Sequence, residues 1–434
     1  MLDIQYIREH KDQVQKAAGD KGVAVDVAEL LALDERRRAL QSTIDEWERQ
    51  RNALAREKRA GERRDARGRE LKGQLKIAQE EFTTVLARYR ELLEDIPNLP
   101  ADDVPIGMGE AANKVLRING EIRQFAFTPK EHWELGKQLA ILDTELAARV
   151  AGSRFVYVKG ELVWLHFALI QFALSVLCNR DVLAGIIVKN NLSVPAHPFM
   201  PVLPPVFIRP EFLRRMARLK PIEERYYLPQ DDLYLVGSAE HTLGPLHQGM
   251  NLSEEALPMR YAGYSTCFRR EAGSHGKDVH GMLRVHQFDK LEIESFSVRE
   301  QAAAEQDFIV AIQEHLMQQL RLPHRVVLVA SGEMGAPDRR QIDIETWLPG
   351  QGRWRETHTA DLIGDYQARR LQTKVKRADG AAEYVHMNDA TVFAIGRTLI
   401  AIMENYQQAD GSIVVPLALR SYVPFICIGP KKPV

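Results

Sequence analysis

The stretch CFRREAGSHGKDVHGMLRVHQF, residues 267–288, sets two strand-like arms around a glycine-rich, charged loop. On a strand, residues two apart share a face. Parity therefore places Arg269 and Glu271 together at the end of the first arm. It also places Arg284, His286, Phe288, Lys290 and Glu292 together on the return. Folded as a hairpin, the arms bring guanidinium, carboxylate and an aromatic ring onto one wall. Such a set suits a nucleotide: arginine for phosphate, a ring for base stacking, a carboxylate for an amino group. The competing reading is an exposed hairpin laced by cross-strand ion pairs.

Beyond about residue 113 the pattern mixes strands with helices. VVLVASG (326–332), RQIDIETWLP (340–349) and AEYVHMNDATVF (382–393) read as strands of a largely antiparallel sheet, and GRTLIAIMENYQQ (396–408) as a helix. GxGxxG, GxxxxGK[ST] and HExxH patterns are absent, which disfavours Rossmann, P-loop and zincin chemistry.

The N-terminal part is different. Leu30, Leu33, Arg37, Leu40, Ile44, Trp47, Arg51 and Leu54 recur at alternating spacings of three and four, as do Leu71, Leu75, Ala78, Phe82, Val85, Tyr89, Leu92 and Ile96. Two heptad seams predict two long helices packed as an antiparallel coiled-coil arm. RAGERRDARG (59–68) breaks both patterns and reads as the turn, and Pro97, Pro100 and Pro105 end the second helix. Residues 51–76 hold ten basic residues against four acidic ones, a local excess of six. A solvated helix surface accounts for that excess, and so does a phosphate-binding arm.

A chain of 434 residues has room for two or three domains. Its 45% hydrophobic and 27% charged content is ordinary for a soluble globular protein. The net charge of -1 predicts no global attraction to nucleic acid, so any polyanion contact is a local patch. Cys178, Cys267 and Cys427 are far apart, which suits a reducing compartment and speaks against a disulfide framework or structural zinc. The first residues carry charges where a signal peptide needs an apolar run, and no apolar run reaches the ~18 residues of a membrane span. A cytoplasmic protein with no membrane partner is the expectation.

These segments resemble the motifs of class II aminoacyl-tRNA synthetases, the seryl-tRNA synthetase family in particular. PVLPPVFI (201–208) is similar to the first motif, FRREAG…LRVHQF to the second, and AIGRTLIAIMENYQQADGSIVVP (394–416) to the third. HWELG (132–136), DDLYLVGSAEH (231–241) and DYQARRL (365–371) add serine-enzyme signatures. The likeness covers essentially the whole chain. It implies an α+β fold in which an antiparallel sheet core is flanked by helices and preceded by the coiled-coil arm. It places a tRNA-binding domain at 1–105 and a catalytic domain at 106–434, with motifs near 198–208, 261–292 and 383–408.

The resemblance also implies the roles. ATP-dependent ligation of L-serine to tRNA(Ser) passes through a seryl-adenylate and releases AMP and pyrophosphate; tRNA(Sec) is a further substrate where the host has one. Arg269 and Arg397 become the catalytic pair, gripping the α- and γ-phosphates. Arg270, Glu271, Arg284, Phe288, Glu356, Thr357, His358 and Thr359 complete the ATP site, with Glu356 and Thr359 on Mg2+. Ser238, Ala239, Glu240, Arg269, Glu292 and Thr391 form the serine pocket. Buried carboxylates at Glu240 and Glu292 are expected to find their partner in the ligand. Arg56, Arg59, Arg63, Arg64, Arg67 and Lys277 are the tRNA contacts, and a homodimer is expected through the first motif.

The departures are specific. Ser238 stands where the family pattern has threonine. His358-Thr359-Ala360-Asp361-Leu362 replaces Ser-Ser-Cys-Ser-Asn, and Asn388-Asp389-Ala390-Thr391 replaces Leu-Asn-Gly-Ser. Asp389 adds a charge near the pocket. Lys277 and His280 stand for arginines of the loop, which weakens bidentate phosphate contact. Residues 178–197 form a longer link into the first motif. The altered third motif and loop motivate one alternative, a paralogue that activates a small amino acid for a non-tRNA acceptor, against which the basic arm speaks; the second alternative is a non-catalytic dimeric RNA-binding protein. Arg269, Glu356 and Arg397 speak against the second, since binding alone does not need them.

Overall fold

The computed structural model describes residues 1–56, 62–272 and 280–430, with the side chains of residues 62–65 also outside the description. The chain divides into two compact units, Met1–Leu99 and Pro100–Val434. The expected break after residue 105 therefore falls earlier, because residues 101–105 are tied to the second unit. Ala101 N–H donates to Arg339 O at 2.7 Å, Ser331 N–H donates to Pro105 O at 2.9 Å, and Arg340 donates to Asp103 at 2.9 Å.

In the first unit, helices α1 (Val27–Arg56) and α2 (Glu62–Asp95) carry the two seams. Leu30, Leu40, Ile44, Leu71, Leu75, Ala78, Tyr89 and Leu92 are buried; Leu30 clusters with Tyr89 and Leu92, and Ile44 with Leu75 and Ala78, Trp47 and Phe82 packing beside the latter. The pairing is antiparallel: Arg88 bonds Glu29, and Arg36 bonds Glu81. Arg37 keeps its seam position by lying 4.5 Å from the Tyr89 ring centroid and pairing with Asp34 at 2.6 Å. Arg51 is exposed. Residues 62–68 of the segment read as the turn are helical, since α2 begins at Glu62 and runs through Gly68 and Gly73, and residues 59–61 lie outside the described residues. Each helical glycine costs about 1 kcal/mol, and burial of Leu71 and Leu75 in the seam offsets it.

The second unit is built on eight strands: β1 (Lys114–Asn119), β2 (Met200–Val202), β3 (Met259–Phe268), β4 (Gln287–Ser297), β5 (His324–Leu328), β6 (Arg340–Leu348), β7 (Arg353–Gly364) and β8 (His386–Ala394). Their order across the sheet is β1-β5-β6-β7-β8-β4-β3-β2. Every pairing is antiparallel except that of β2 with β3. Helices α3 (Glu161–Leu177), α4 (Arg180–Lys189), α5 (Ala302–Gln319) and α6 (Ile395–Tyr406) complete its main elements. Ile293, Ile342, Ala360, Ala390 and Val392 turn into one core with Phe308, Ile309, Ile312 and Leu316 of α5. Their strand neighbours Glu292, Gln341, Thr359, Asp361 and Thr391 alternate to the other face. That face carries the site.

Two segments differ from the reading of the sequence. AEYVHMNDATVF is not one strand: Ala382–Tyr384 joins a small sheet, and β8 starts at His386 after the buried Val385. PVLPPVFI splits into β2 and Phe207–Ile208, because Pro204 and Pro205 supply no ladder donors. The long link at 178–197 is α4, capped by Asn179 Oδ1 accepting from the Asp181 and Val182 N–H groups and held by Leu183 and Ile186. Among the described residues, no single helix is long and apolar enough to cross a membrane.

Candidate active site

β3 ends at Phe268 and β4 begins at Gln287, so Arg269, Glu271, Arg284 and His286 lie beyond the paired strands. The backbone ladder continues by one bond, Arg269 N–H to His286 O at 3.0 Å. Glu271 then adopts φ +53°, and strand parity stops applying. Contact replaces parity: Arg284 Nη1 donates to Glu271 Oε2 at 2.9 Å. The Arg269 guanidinium lies 5.6 Å from the Phe288 ring centroid, and its Nε donates to Gly237 O at 3.2 Å. Where the chain re-enters the wall, Met282 N–H donates to His132 Nε2 at 3.2 Å, while Nδ1 of that ring faces Glu404 of α6 at 3.3 Å. Gly281 is required there, because a Cβ would stand 2.0 Å from His132 Nε2.

A cavity of about 350 Å³ opens over this wall. Arg269, Glu271, Arg284, Phe288, Glu356, Thr357, Thr359 and Arg397 all line it. Arg270 does not; its guanidinium lies 5.6 Å from the Tyr226 ring centroid, outside the cavity. His358 does not either. Glu356 and Thr359 are three apart and would face opposite ways on a regular strand. A bulge at Thr357, where Ile344 pairs with His358 and Glu345 with Glu356, turns both toward the cavity. His358 is left on the core side, 5.7 Å from the Phe393 ring, and burial pushes its imidazole down to about 3. Arg397, in the first turn of α6, donates to Glu356 O at 3.1 Å and Oε1 at 2.8 Å.

At the other end, Glu240, Arg269 and Thr391 line the cavity. Ser238 and Glu292 stand behind Thr391: Ser238 Oγ donates to Glu292 Oε1 at 2.9 Å, and Thr391 Oγ1 to the same atom at 3.4 Å. Ala239 is fully buried and offers the cavity nothing. The two carboxylates are not waiting for a ligand. Lys290 contacts Glu292 and donates to Ser238 Oγ at 3.3 Å. Arg218 pairs with Glu240 at 2.9 Å. Burial would raise Glu240, but Arg218, His241 and Lys290 outweigh it and hold the carboxyl down to about 2.

Comparison with known proteins shows the family. The N-terminal domain profile of seryl-tRNA synthetases matches residues 1–100, and the class II core domain profile for the G, H, P, S and T enzymes matches residues 226–406. The chain belongs to the seryl-tRNA synthetase family. A serine–tRNA ligase of Acidothermus cellulolyticus is 39% identical over 441 residues, covering 100% of both chains. One of Symbiobacterium thermophilum is 37% identical, covering 97% of this chain and 98% of its own. The seryl-tRNA synthetase of Pyrococcus horikoshii complexed with ATP superposes with a TM-score of 0.88 at 32% identity over 100% of both chains. The cytoplasmic serine–tRNA ligase of Naegleria fowleri in complex with AMP does so at 0.83 and 28%, covering 100% of this chain and 99% of its own.

Within this synthetase, Arg218 and Asp338 line the cavity and were missed by sequence reading. Arg218 also reaches Asp389 at 3.1 Å and Asp338 at 3.4 Å. Its surroundings, RLKP at 218–221, carry no motif, and its partners come from distant segments; the charge at Asp389 was the one visible signal. For a metal, Glu356 and Thr359 offer oxygen only, and Asp343 sits directly across from Thr359 on β6. Burial first, then the Glu356 charge, pushes the Asp343 carboxyl well up, a crowding that a divalent cation relieves. Among the described residues, no three His, Cys, Asp or Glu side chains gather to hold a metal unaided. On the arm, Arg56 is exposed at the end of α1, and Arg67 donates to Glu70 at 2.9 Å and Gln50 at 3.4 Å. Arg59 and Lys277 lie outside the described residues, as do the side chains of Arg63 and Arg64.

Proposed function

We propose that this chain activates L-serine with ATP and transfers the seryl group to tRNA(Ser), and to tRNA(Sec) where the host makes it. The observation that carries the reading is a single cavity joining the Arg269–Phe288 wall to the hydroxyl-rich triangle of Ser238, Glu292 and Thr391. Adenine stacks on Phe288, and Arg269 bridges the α-phosphate and the serine carboxylate. That carboxylate is already ionised at neutral pH, so attack on the α-phosphorus needs no general base. Pyrophosphate leaves, its negative charge met by Arg397 and the N-terminal turn of α6. Placement and charge neutralisation do the rest. Mg2+ would be held by Glu356 and Thr359 together with phosphate oxygens, and supplies neutralisation of the polyphosphate. Thr391, the corner of the triangle that lines the cavity, is the hydrogen-bond partner for the serine hydroxyl, which an apolar competitor could not use.

Transfer to the tRNA releases AMP, and the basic arm is the tRNA contact, through Arg56, Arg59, Arg63, Arg64 and Arg67, with Lys277 at the acceptor end. Action in the cytoplasm follows the Naegleria relative, whose enzyme is cytoplasmic. The chain works as a homodimer; Trp164 and Phe167 of α3 and Met200, Leu203 and Phe207 around the edge strand β2 are exposed apolar groups that an interface would cover. Sedimentation velocity giving the mass of one chain at micromolar concentration would refute the dimer.

Serine-dependent exchange of pyrophosphate into ATP tests the chemistry, followed by charging of tRNA(Ser). Arg269→Ala lowers exchange by roughly 10²–10³-fold, the scale of one lost transition-state donor. Absence of serine-dependent exchange in the unmodified enzyme overturns the reading.

A further inference from the structure

The sheet carries a second transverse row beside the hydroxyl triangle. Glu294 on β4 stands directly across from Asp389 on β8, and Asp389 directly across from Asp361 on β7. The row of Glu292, Thr391 and Thr359 lies two residues along each strand, roughly 7 Å away. Asp361 lines the cavity, is 7% exposed, and hydrogen-bonds Asp389, yet its Oδ1 has no partner among the described residues. Glu294 is fully buried, and neither of its oxygens has a hydrogen-bond partner among them. Asp338 and Glu240 line the cavity with Asp361. Arg218 is the cation bonded into it, through Glu240, Asp389 and Asp338. Lys290 is already engaged by Glu292.

Of the five carboxyl groups around this guanidinium, Asp361, Asp338 and Glu240 line the cavity, and Asp361 Oδ1 there is an acceptor with no partner among the described residues. Serine does not satisfy both rows: its one hydroxyl has a single proton to donate and carries no charge. A side-chain carboxylate would be repelled, and an apolar side chain would strand the same acceptor. An ammonium group brings three donors and a positive charge. We propose that this acidic row is a subsite for the side-chain ammonium of a short diamino acid, of the size of 2,3-diaminopropionate or 2,4-diaminobutyrate, which the enzyme activates through the same cavity. The inference rests on the adenylate-forming reading above. The reaction is unchanged in balance: the ligand carboxylate forms the bond to the α-phosphorus, pyrophosphate leaves with the bonding pair, and the side-chain ammonium keeps its protons.

Pyrophosphate exchange with the full-length enzyme decides it, using L-serine, L-2,3-diaminopropionate, L-2,4-diaminobutyrate and L-2-aminobutyrate, the last having the size of diaminopropionate without the amine. At least one diamino acid is expected to reach kcat/KM within tenfold of serine and at least tenfold above 2-aminobutyrate. In Asp361→Asn, at the row carboxyl that lines the cavity, the ratio of diamino acid to serine falls tenfold or more. Exchange with serine but neither exchange with nor competition by either diamino acid overturns the subsite and leaves the serine reading standing. An unchanged ratio in a folded Asp361→Asn also overturns it. Should serine itself give no exchange, calorimetric titration of diaminopropionate against 2-aminobutyrate decides the subsite alone: tenfold tighter binding of the diamine supports it, and equal binding refutes it. That comparison, on the unmodified enzyme, also serves if the variant does not fold.

Discussion

Asp389 is buried between Glu294 and Asp361 on the neighbouring strands, 3.1 Å from Arg218. Burial, then the charge of Glu240, pushes its carboxyl up from 3.8 to about 8, against the pull of Arg218. Between those values the folded chain keeps a proton that the unfolded chain has released. Stability from this group therefore falls as pH rises from about 4 to 8, with a slope of at most about 1.4 kcal/mol per pH unit, and levels off above. Asp389→Asn removes that limb, so its stability relative to the unmodified enzyme improves steadily from pH 5 to pH 8 in urea unfolding. A difference that stays constant over that range would contradict the assignment. Glu240 runs the other way: its carboxyl is held below its ordinary 4.5, so its contribution is present above that value and is lost as pH falls toward 2. The residues themselves were legible where chemistry travels with a local pattern, as for Arg269 and Phe288. Arg218 was not, because an isolated arginine announces nothing until distant carboxylates gather around it.

At the level of elements, the β7–β8 ladder begins at the Ala360–Ala390 pair, so Thr359 and Thr391 lie just past its end. Gln313 of α5 replaces the missing rungs, donating from Nε2 to Thr359 O at 2.8 Å and Thr391 O at 2.7 Å. It fixes from beneath the two hydroxyls that face the cavity. Gln313→Ala leaves both carbonyls without that donor and is expected to cost about 1–3 kcal/mol. The KM for serine should rise more than kcat falls. Thermal unfolding and exchange kinetics check this; a variant with unchanged KM would show that the strands hold their level unaided. The long helices of the arm could be read from sequence because heptad spacing repeats over many turns. Strand ends could not: parity carried Glu271 onto a wall where its φ of +53° ends the strand, and it hid the Thr357 bulge that removes His358 from the site.

For the whole molecule, the candidate site lies in the Pro100–Val434 unit and the basic excess in the Met1–Leu99 unit. The order of motifs along the chain made this division readable, whereas its boundary depended on backbone bonds from residues 101–105. Reversing Arg63, Arg64 and Arg67 to Glu should raise KM for tRNA(Ser) at least tenfold and flatten its salt dependence, while pyrophosphate exchange stays within twofold. Unchanged charging kinetics would remove the arm from tRNA contact. Arg218 finally bears on the history of the fold. Residues 218, 240, 338 and 389 come from four separate segments yet answer to one cation. Their substitutions must be strongly epistatic: the arginine is tolerable only with its acids, and the acids only with it. A lineage could acquire or lose this pocket floor along few mutational orders, and single-site reversion would meet a fitness valley before it reached another working pocket.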